Sequence, residues 1–290
     1  MSISEYPTPA DWSAVDAEIA TSGAVVLKSF VHSELLGRLN NECDRYIESS
    51  YQKAGGQTDS LPGLPDTKST TYNRFLGHKT IRLHGLIEKL PCSSQVIGNA
   101  DLLGWAKRAL APVASQVRLS AAELIQIQPG EPRQAAHRDS DSWPLPLGAD
   151  PFVVNAIVAL SDFTQINGAT WVGPGSFRDV QTYSSVDFVQ ATMAAGDALL
   201  FRGDLVHGAG ANEGNTPRRA VSVSFCAGWL RGVENSVLNL SLETVRGLTP
   251  ELQAVLGFAA YDGSARGNGL LGLYENGDPA VALDPNAKPV

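Results

Sequence analysis

Hydrophobic positions along this chain change their rhythm about two-fifths of the way through, and the two rhythms predict two kinds of layer. Residues 11 to 22 read as a short helix, closed by Gly23 and followed by the continuous apolar run Ala24-Val25-Val26-Leu27, a strand. From His32 to about Tyr51 the residues Leu35, Leu36, Leu39, Cys43, Tyr46 and Ile47 recur near helical spacing and predict a second helix. Residues 52 to 73 are rich in Gly, Pro, Ser, Thr and Asp and read as a long loop, of the kind that is usually functional or mobile. Helices are expected to follow at 80 to 90 and 101 to 112.

After residue 115 the runs shorten and take on β character: Glu123 to Gln128, Val153 to Leu160, Ala198 to Arg202 and Arg219 to Phe225. Turns at Pro129-Gly130, Gly173-Pro174-Gly175 and Ala195-Gly196-Asp197 separate them. Short strands punctuated in this way predict an antiparallel sandwich or barrel, not alternating βαβ units. Thr249 as N-cap with Pro250 at the first helical position marks one more helix, and from Gly257 the chain reads as irregular. The expectation is one α+β domain over residues 1–290. Its core lies at about 115–230, after an N-terminal helical part, 1–114, and before a C-terminal extension, 231–290.

Composition narrows the partners. A hydrophobic content of 43% supports a sizeable core, and no stretch is long and apolar enough for a membrane span. The net charge of -8 argues against nucleic acid, whose phosphates need a basic stripe, and against an anionic membrane surface. Cys43, Cys92 and Cys226 are few, odd in number and widely spaced, so they read as reduced thiols of a cytoplasmic protein. The N-terminus lacks the basic and apolar regions of a secretory signal.

The chemistry concentrates around Gln134-Ala135-Ala136-His137-Arg138-Asp139. In an extended segment residues two apart face the same side, so His137 and Asp139 can converge on one point. A third ligand has to come from elsewhere. With only five histidines in the chain, His207, just after the run Ala198 to Arg202, is the candidate that a neighbouring strand can deliver. Two imidazoles and one carboxylate on one face leave open positions on the metal, the arrangement of non-haem Fe(II) oxygenases that bind a 2-oxo acid and O2. Asp141 is the competing carboxylate. Arg218, at the start of the last β run, offers a guanidinium fork for a dicarboxylate. Arg219 competes with it, since adjacent strand residues face opposite sides.

The ordered series His137-x-Asp139, Asn167-Gly168-Ala169-Thr170, Pro174-Gly175-Ser176, Gly196-Asp197, His207-Gly208 and Arg218 resembles the phytanoyl-CoA dioxygenase family over roughly residues 15 to 230. The resemblance implies a double-stranded β-helix, or jelly roll, with flanking helices. It also implies Fe(II) as metal, 2-oxoglutarate as co-substrate, O2 as oxidant, and release of succinate and CO2. Gln134 resembles the relatives that modify microbial natural products, including fungal meroterpenoid and indole-alkaloid oxygenases. In those relatives this glutamine, the Thr of the Gly-Ala-Thr turn and the late arginine bind 2-oxoglutarate, which points to Gln134, Thr170 and Arg218, with Arg74 as a further contact. Halogenating relatives replace the carboxylate with a small residue, so Asp139 disfavours halogenation.

The expected substrate is a small lipophilic metabolite, with Trp143 and Trp171 as candidate lining of its pocket. Related enzymes make a homodimer plausible. The competing reading is a non-catalytic jelly-roll or cupin-like binding protein, which would have no need of the dicarboxylate anchor.

Overall fold

Ten strands make two sheets in the computed structural model, which describes residues 3–53, 75–146, 150–178, 183–262 and 271–284. The strands are β1 (Ser4–Tyr6), β2 (Ala24–Leu27), β3 (Thr80–Leu83), β4 (Val117–Ile127), β5 (Val153–Ala159), β6 (Thr170–Val172), β7 (Val189–Ala191), β8 (Ala198–Arg202), β9 (His207–Gly208) and β10 (Arg218–Ala227). Seven form one sheet in the order β1-β2-β8-β5-β10-β4-β3, antiparallel except for the edge pair β1 and β2. The second sheet has the order β7-β6-β9. Helices flank this jelly-roll core.

Alternation along the strands decides what each face of the large sheet meets. Val221, Val223 and Phe225 of β10 are fully buried in a cluster with Leu39, Trp105 and Leu124, beneath α1 (Trp12–Ser22), α2 (Ser33–Lys53) and the helix Ala100–Leu110. Ser222 and Ser224, one step out of phase, face the other way. On that inner side Phe163, Val172, Phe201 and Leu205 form a second apolar cluster between the sheets. Each fully buried side chain of this size stabilises the fold by roughly 1.5–3 kcal/mol.

Local signals place the ends of the helices. The Asp11 carboxylate accepts the Ser13 and Ala14 amides at the start of α1, and Gly23 ends it at φ +92°. A Cβ at Gly23 would lie 2.6 Å from Leu205 Cδ1, so glycine here also lets the segment before His207 approach. Thr249 caps the helix Pro250–Val255 by accepting the Leu252 amide, as its sequence predicts.

The structure corrects the expected helix at 80 to 90. Thr80-Ile81-Arg82-Leu83 is strand β3, paired antiparallel with β4 from Thr80↔Ile127 to Leu83↔Leu124, and only Leu86–Lys89 is helical. The segment alternates polar and apolar, with Ile81 and Leu83 buried, and Gly85 in the left-handed region separates strand from helix. The sheet accordingly reaches beyond 115 to 230, because β1, β2 and β3 all come from the N-terminal part. The expected loop begins later than residue 52, since α2 runs to Lys53, and the remainder lies outside the described residues. Among the described residues no helix is long and apolar enough to cross a membrane.

Candidate metal centre and its cavity

A backbone bridge brings the two histidines together. The His137 amide donates to His207 O at 3.0 Å and the His207 amide to His137 O at 2.9 Å, joining the segment before Asp139 to β9. Arg138 is extended (φ -116°, ψ 137°), so His137 and Asp139 share one side while the Arg138 side chain turns away to donate to Ser176 O. One ligand atom from each of His137, Asp139 and His207 lies within 4.8 Å of the other two.

The hydrogen bonds around this cluster set its chemistry. His137 Nδ1 lies 3.0 Å from Ala135 O and His207 Nδ1 2.9 Å from Leu205 O. A carbonyl can only accept, so both Nδ1 atoms carry hydrogen and both Nε2 lone pairs are free. Those Nε2 atoms face Asp139, His137 Nε2 at 3.5 Å from Oδ1 and His207 Nε2 at 3.6 Å from Oδ2. Donors about 2.1 Å from a small divalent ion are separated by about 3–3.5 Å, so the set fits such an ion. Burial pushes the His207 imidazole down to about 4, so near neutral pH it is uncharged and its Nε2 lone pair is free. Burial opposes ionisation of Asp139, but His207, His137 and Arg82 outweigh it and hold the carboxyl below its usual range. Asn155, on β5, donates to Asp139 Oδ2 at 2.9 Å and fixes the carboxylate. Asn155→Ala is expected to weaken metal binding by about 10–100-fold without unfolding the protein, measurable by competition with a metal-chelating dye.

The cluster opens into a cavity of about 330 Å³. Arg218, Thr170, Gln134 and Trp143 line it, whereas Asp141 accepts the Tyr183 hydroxyl outside it. Arg218 is the inward arginine. Its guanidinium is buried over the Phe163 ring, donates to Gly168 O at 3.0 Å and keeps a buried Nε without a partner among the described residues. Burial, with the charge of Arg82 adding, pulls Arg218 down to about 9, the direction expected of a buried cation lacking an anion. Arg219 points to the helical side, where it meets Asp44, Asn40 and Gln126. The Gln134 amide donates to Phe75 O and accepts the Ala209 amide, clipping two segments to the cavity rim.

Of the two remaining expected residues, the structure describes one. Trp171 does not line the cavity: with Thr170 inward on β6 its neighbour faces outward, and Trp171 packs under the Arg133 guanidinium at 4.7 Å. Arg74 lies outside the described residues. The cavity also contains Arg82, His84, Glu123 and Asn155, which the sequence does not mark as site residues. Arg82 and His84 were missed because their segment was read as a helix, whereas Asn155 is the lone polar residue of an apolar run. A larger groove, about 630 Å³, lies elsewhere, beside Trp229 and Tyr261, and contains none of His137, Asp139 and His207.

Comparison with known proteins agrees with this geometry. The sequence profile of the phytanoyl-CoA dioxygenase (PhyH) family matches residues 19–220. Dioxygenase ALT11 of Alternaria alternata is 32% identical over 274 residues, covering 90% of this chain and 85% of its own. Dioxygenase aneA of Aspergillus aculeatus is 32% identical over 255 residues, covering 81% and 78%. Among solved structures, AviO1 from Streptomyces viridochromogenes Tue57 is similar with a TM-score of 0.57 at 19% identity, over 74% of this chain and 95% of AviO1. The non-haem α-ketoglutarate-dependent epimerase SnoN from nogalamycin biosynthesis has a TM-score of 0.56 at 18% identity, over 75% of this chain and 84% of SnoN. The structures speak for the shared fold, and the fungal relatives disfavour a mere binding module. With its profile match and two relatives at 32% identity, this chain belongs to the phytanoyl-CoA dioxygenase family.

Proposed function

We propose that this protein is a non-haem Fe(II)/2-oxoglutarate-dependent dioxygenase that oxidises a C–H bond of a small metabolite. In this reading His137, Asp139 and His207 hold the iron, and Arg218, Thr170 and Gln134 surround 2-oxoglutarate. The observation that carries it is the pairing of a converging His-Asp-His set with a buried, anion-free arginine in one cavity. The donor set suits Fe(II), since two neutral imidazoles and one carboxylate leave positions for a bidentate 2-oxo acid and O2. Bound there, iron supplies the redox chemistry by which O2 and 2-oxoglutarate give succinate, CO2 and an oxidant for the substrate.

The chain's own residues do the positioning. The Ala135 and Leu205 carbonyls lock both imidazole tautomers, and Asn155 holds the Asp139 carboxylate in place. Arg218 presents its cation to the distal carboxylate of the co-substrate, and the Thr170 hydroxyl stands in the same cavity as a further donor. Phe75 packs edge-on against the His137 ring at 4.7 Å and Phe201 against His207 at 4.7 Å, which shields both ligands from water. Hydroxylation, desaturation and rearrangement all draw on this machinery, the outcome depending on which bond the cavity wall presents.

The nogalamycin-pathway structure and the fungal dioxygenases support a place in secondary metabolism. The free thiols of Cys43, Cys92 and Cys226 support a reducing compartment such as the cytoplasm. Burial pushes Cys43 and Cys226 up to about 12, so these two are packing residues, not nucleophiles. Anaerobic titration tests the function: a visible charge-transfer band is expected only when Fe(II) and 2-oxoglutarate are both present, followed by succinate release on admitting O2. A folded protein that gives no band would favour the binding-module reading.

A further inference from the structure

Arg82, His84 and Glu123 line a second wall of the cavity, with Glu234 behind it, and the chemistry above leaves this wall without a role. Glu234, just after β10, is buried, and its carboxylate accepts the Gly85 amide at 2.8 Å, the Asn239 amide at 2.8 Å and the Ala122 amide at 2.9 Å. Its Oε2 lies 3.6 Å from Nδ1 of His84, at the end of β3. Three fixed donors hold this carboxylate beside the imidazole, whose Nδ1 is buried and has no hydrogen-bond partner among the described residues. The ring's Nε2 lies 3.5 Å from Glu123 Oε1, while Glu123 Oε2 takes the Arg82 guanidinium at 2.6 Å. Ser222 stands directly across the β4–β10 ladder from Glu123, and Ser224 across from Ala121. Both serines line the cavity, and neither hydroxyl has a hydrogen-bond partner among the described residues.

Charge selects the chemistry of what binds here. This wall mixes both signs, with Arg82 on Glu123, Lys89 near Glu234, and the two carboxylates raising the His84 imidazole above its ordinary value. A neutral hydroxyl satisfies both signs at once, accepting from a serine or His84 Nε2 and donating to Glu123, whereas a carboxylate would face Glu123 and an ammonium group Arg82. The rest of the lining is largely apolar, with Leu76, Ile125, Ile157, Phe201 and Val233.

Resting on the dioxygenase reading of the cavity, we infer that the substrate is a neutral, hydroxylated aliphatic skeleton. Its hydroxyl is held between His84, Glu123 and the two serines, so that this wall fixes which C–H bond faces the metal. His84 is the substrate contact.

The test uses the full chain loaded with Zn(II), a diamagnetic stand-in for Fe(II), and 2-oxoglutarate. The probes are cyclohexylmethanol, its methyl ether and cyclohexanecarboxylate, followed by NMR of the histidine rings. The alcohol is expected to shift the His84 signals and to bind about tenfold tighter than the ether or the carboxylate. His84→Phe should erase that preference and His84→Gln should keep it, because the glutamine Nε2 can replace the imidazole donor. Binding of 2-oxoglutarate should be unchanged in both variants, a readout that general loosening of the fold would move. Alcohol binding no tighter than that of the other two probes, or a preference that survives in His84→Phe, overturns the inference alone. Failure of the Zn(II)–2-oxoglutarate complex to form overturns the reading of the site, and this inference with it.

Discussion

Asp139→Ala is expected to abolish the Fe(II)–2-oxoglutarate band and to lower succinate formation by at least about 10³-fold, equivalent to roughly 4 kcal/mol of lost transition-state stabilisation. Asp139 is the only anion in the cluster, and the two imidazoles facing it contribute lone pairs but no counter-charge to a divalent ion. The variant should fold, because the elements that shape the site do not depend on the carboxylate. His137 and His207 remain joined by their reciprocal backbone bonds, and their Nδ1 atoms still bond to carbonyls of their own segments. Asn155 loses its acceptor, a modest local loss of about 1 kcal/mol. Anaerobic titration of wild type and variant side by side, with circular dichroism to show that both are folded, decides the matter. An undiminished band in the variant would mean that another carboxylate holds the iron.

The convergence of His137, Asp139 and His207 was legible in the sequence because its geometry is local. Two residues apart on an extended segment share a side whatever the rest of the fold does, and a chain with five histidines leaves little choice for the third ligand. Arg218 and Arg219 were indistinguishable until their surroundings were known. Parity separates them, and Asp44 and Asn40 on α2 give Arg219 its place on the helical side. Trp171 shows the same rule missed within the sequence itself: if Thr170 points inward on β6, its neighbour points outward.

The cavity wall of Arg82, His84 and Glu123 was hidden for a different reason. Arg82 and His84 lie in a segment whose pairing partner, β4, is far along the chain, so local periodicity gave no strand. Read as a helix, Arg82 and His84 scatter around an axis; read as a strand, they fall on one side and reach the cavity together. Glu234 is held by donors from three separate segments, an arrangement that only tertiary structure creates.

Arg218→Met is expected to move two measurements in opposite directions. Toward 2-oxoglutarate it should raise the dissociation constant roughly 10²- to 10³-fold, since losing one partner of a buried, hydrogen-bonded charge pair costs about 3–4 kcal/mol. In the ligand-free protein it should instead raise the melting temperature by a few degrees. There the guanidinium is buried with a bare Nε and no carboxylate beside it among the described residues, so its desolvation is offset only by the Gly168 carbonyl and the Phe163 ring. Methionine has a similar length and no charge to desolvate, and replacing buried ionic groups by packed apolar ones is often neutral or stabilising. Wild type should also gain thermal stability as 2-oxoglutarate is added, by mass action, while the variant should gain almost none over the same range. Thermal melts across a 2-oxoglutarate titration measure both effects at once. A structural arginine would give the reverse pattern, with the ligand-free variant destabilised and 2-oxoglutarate binding little changed. The sign of the ligand-free shift therefore separates an arginine kept for a co-substrate from one kept for the fold.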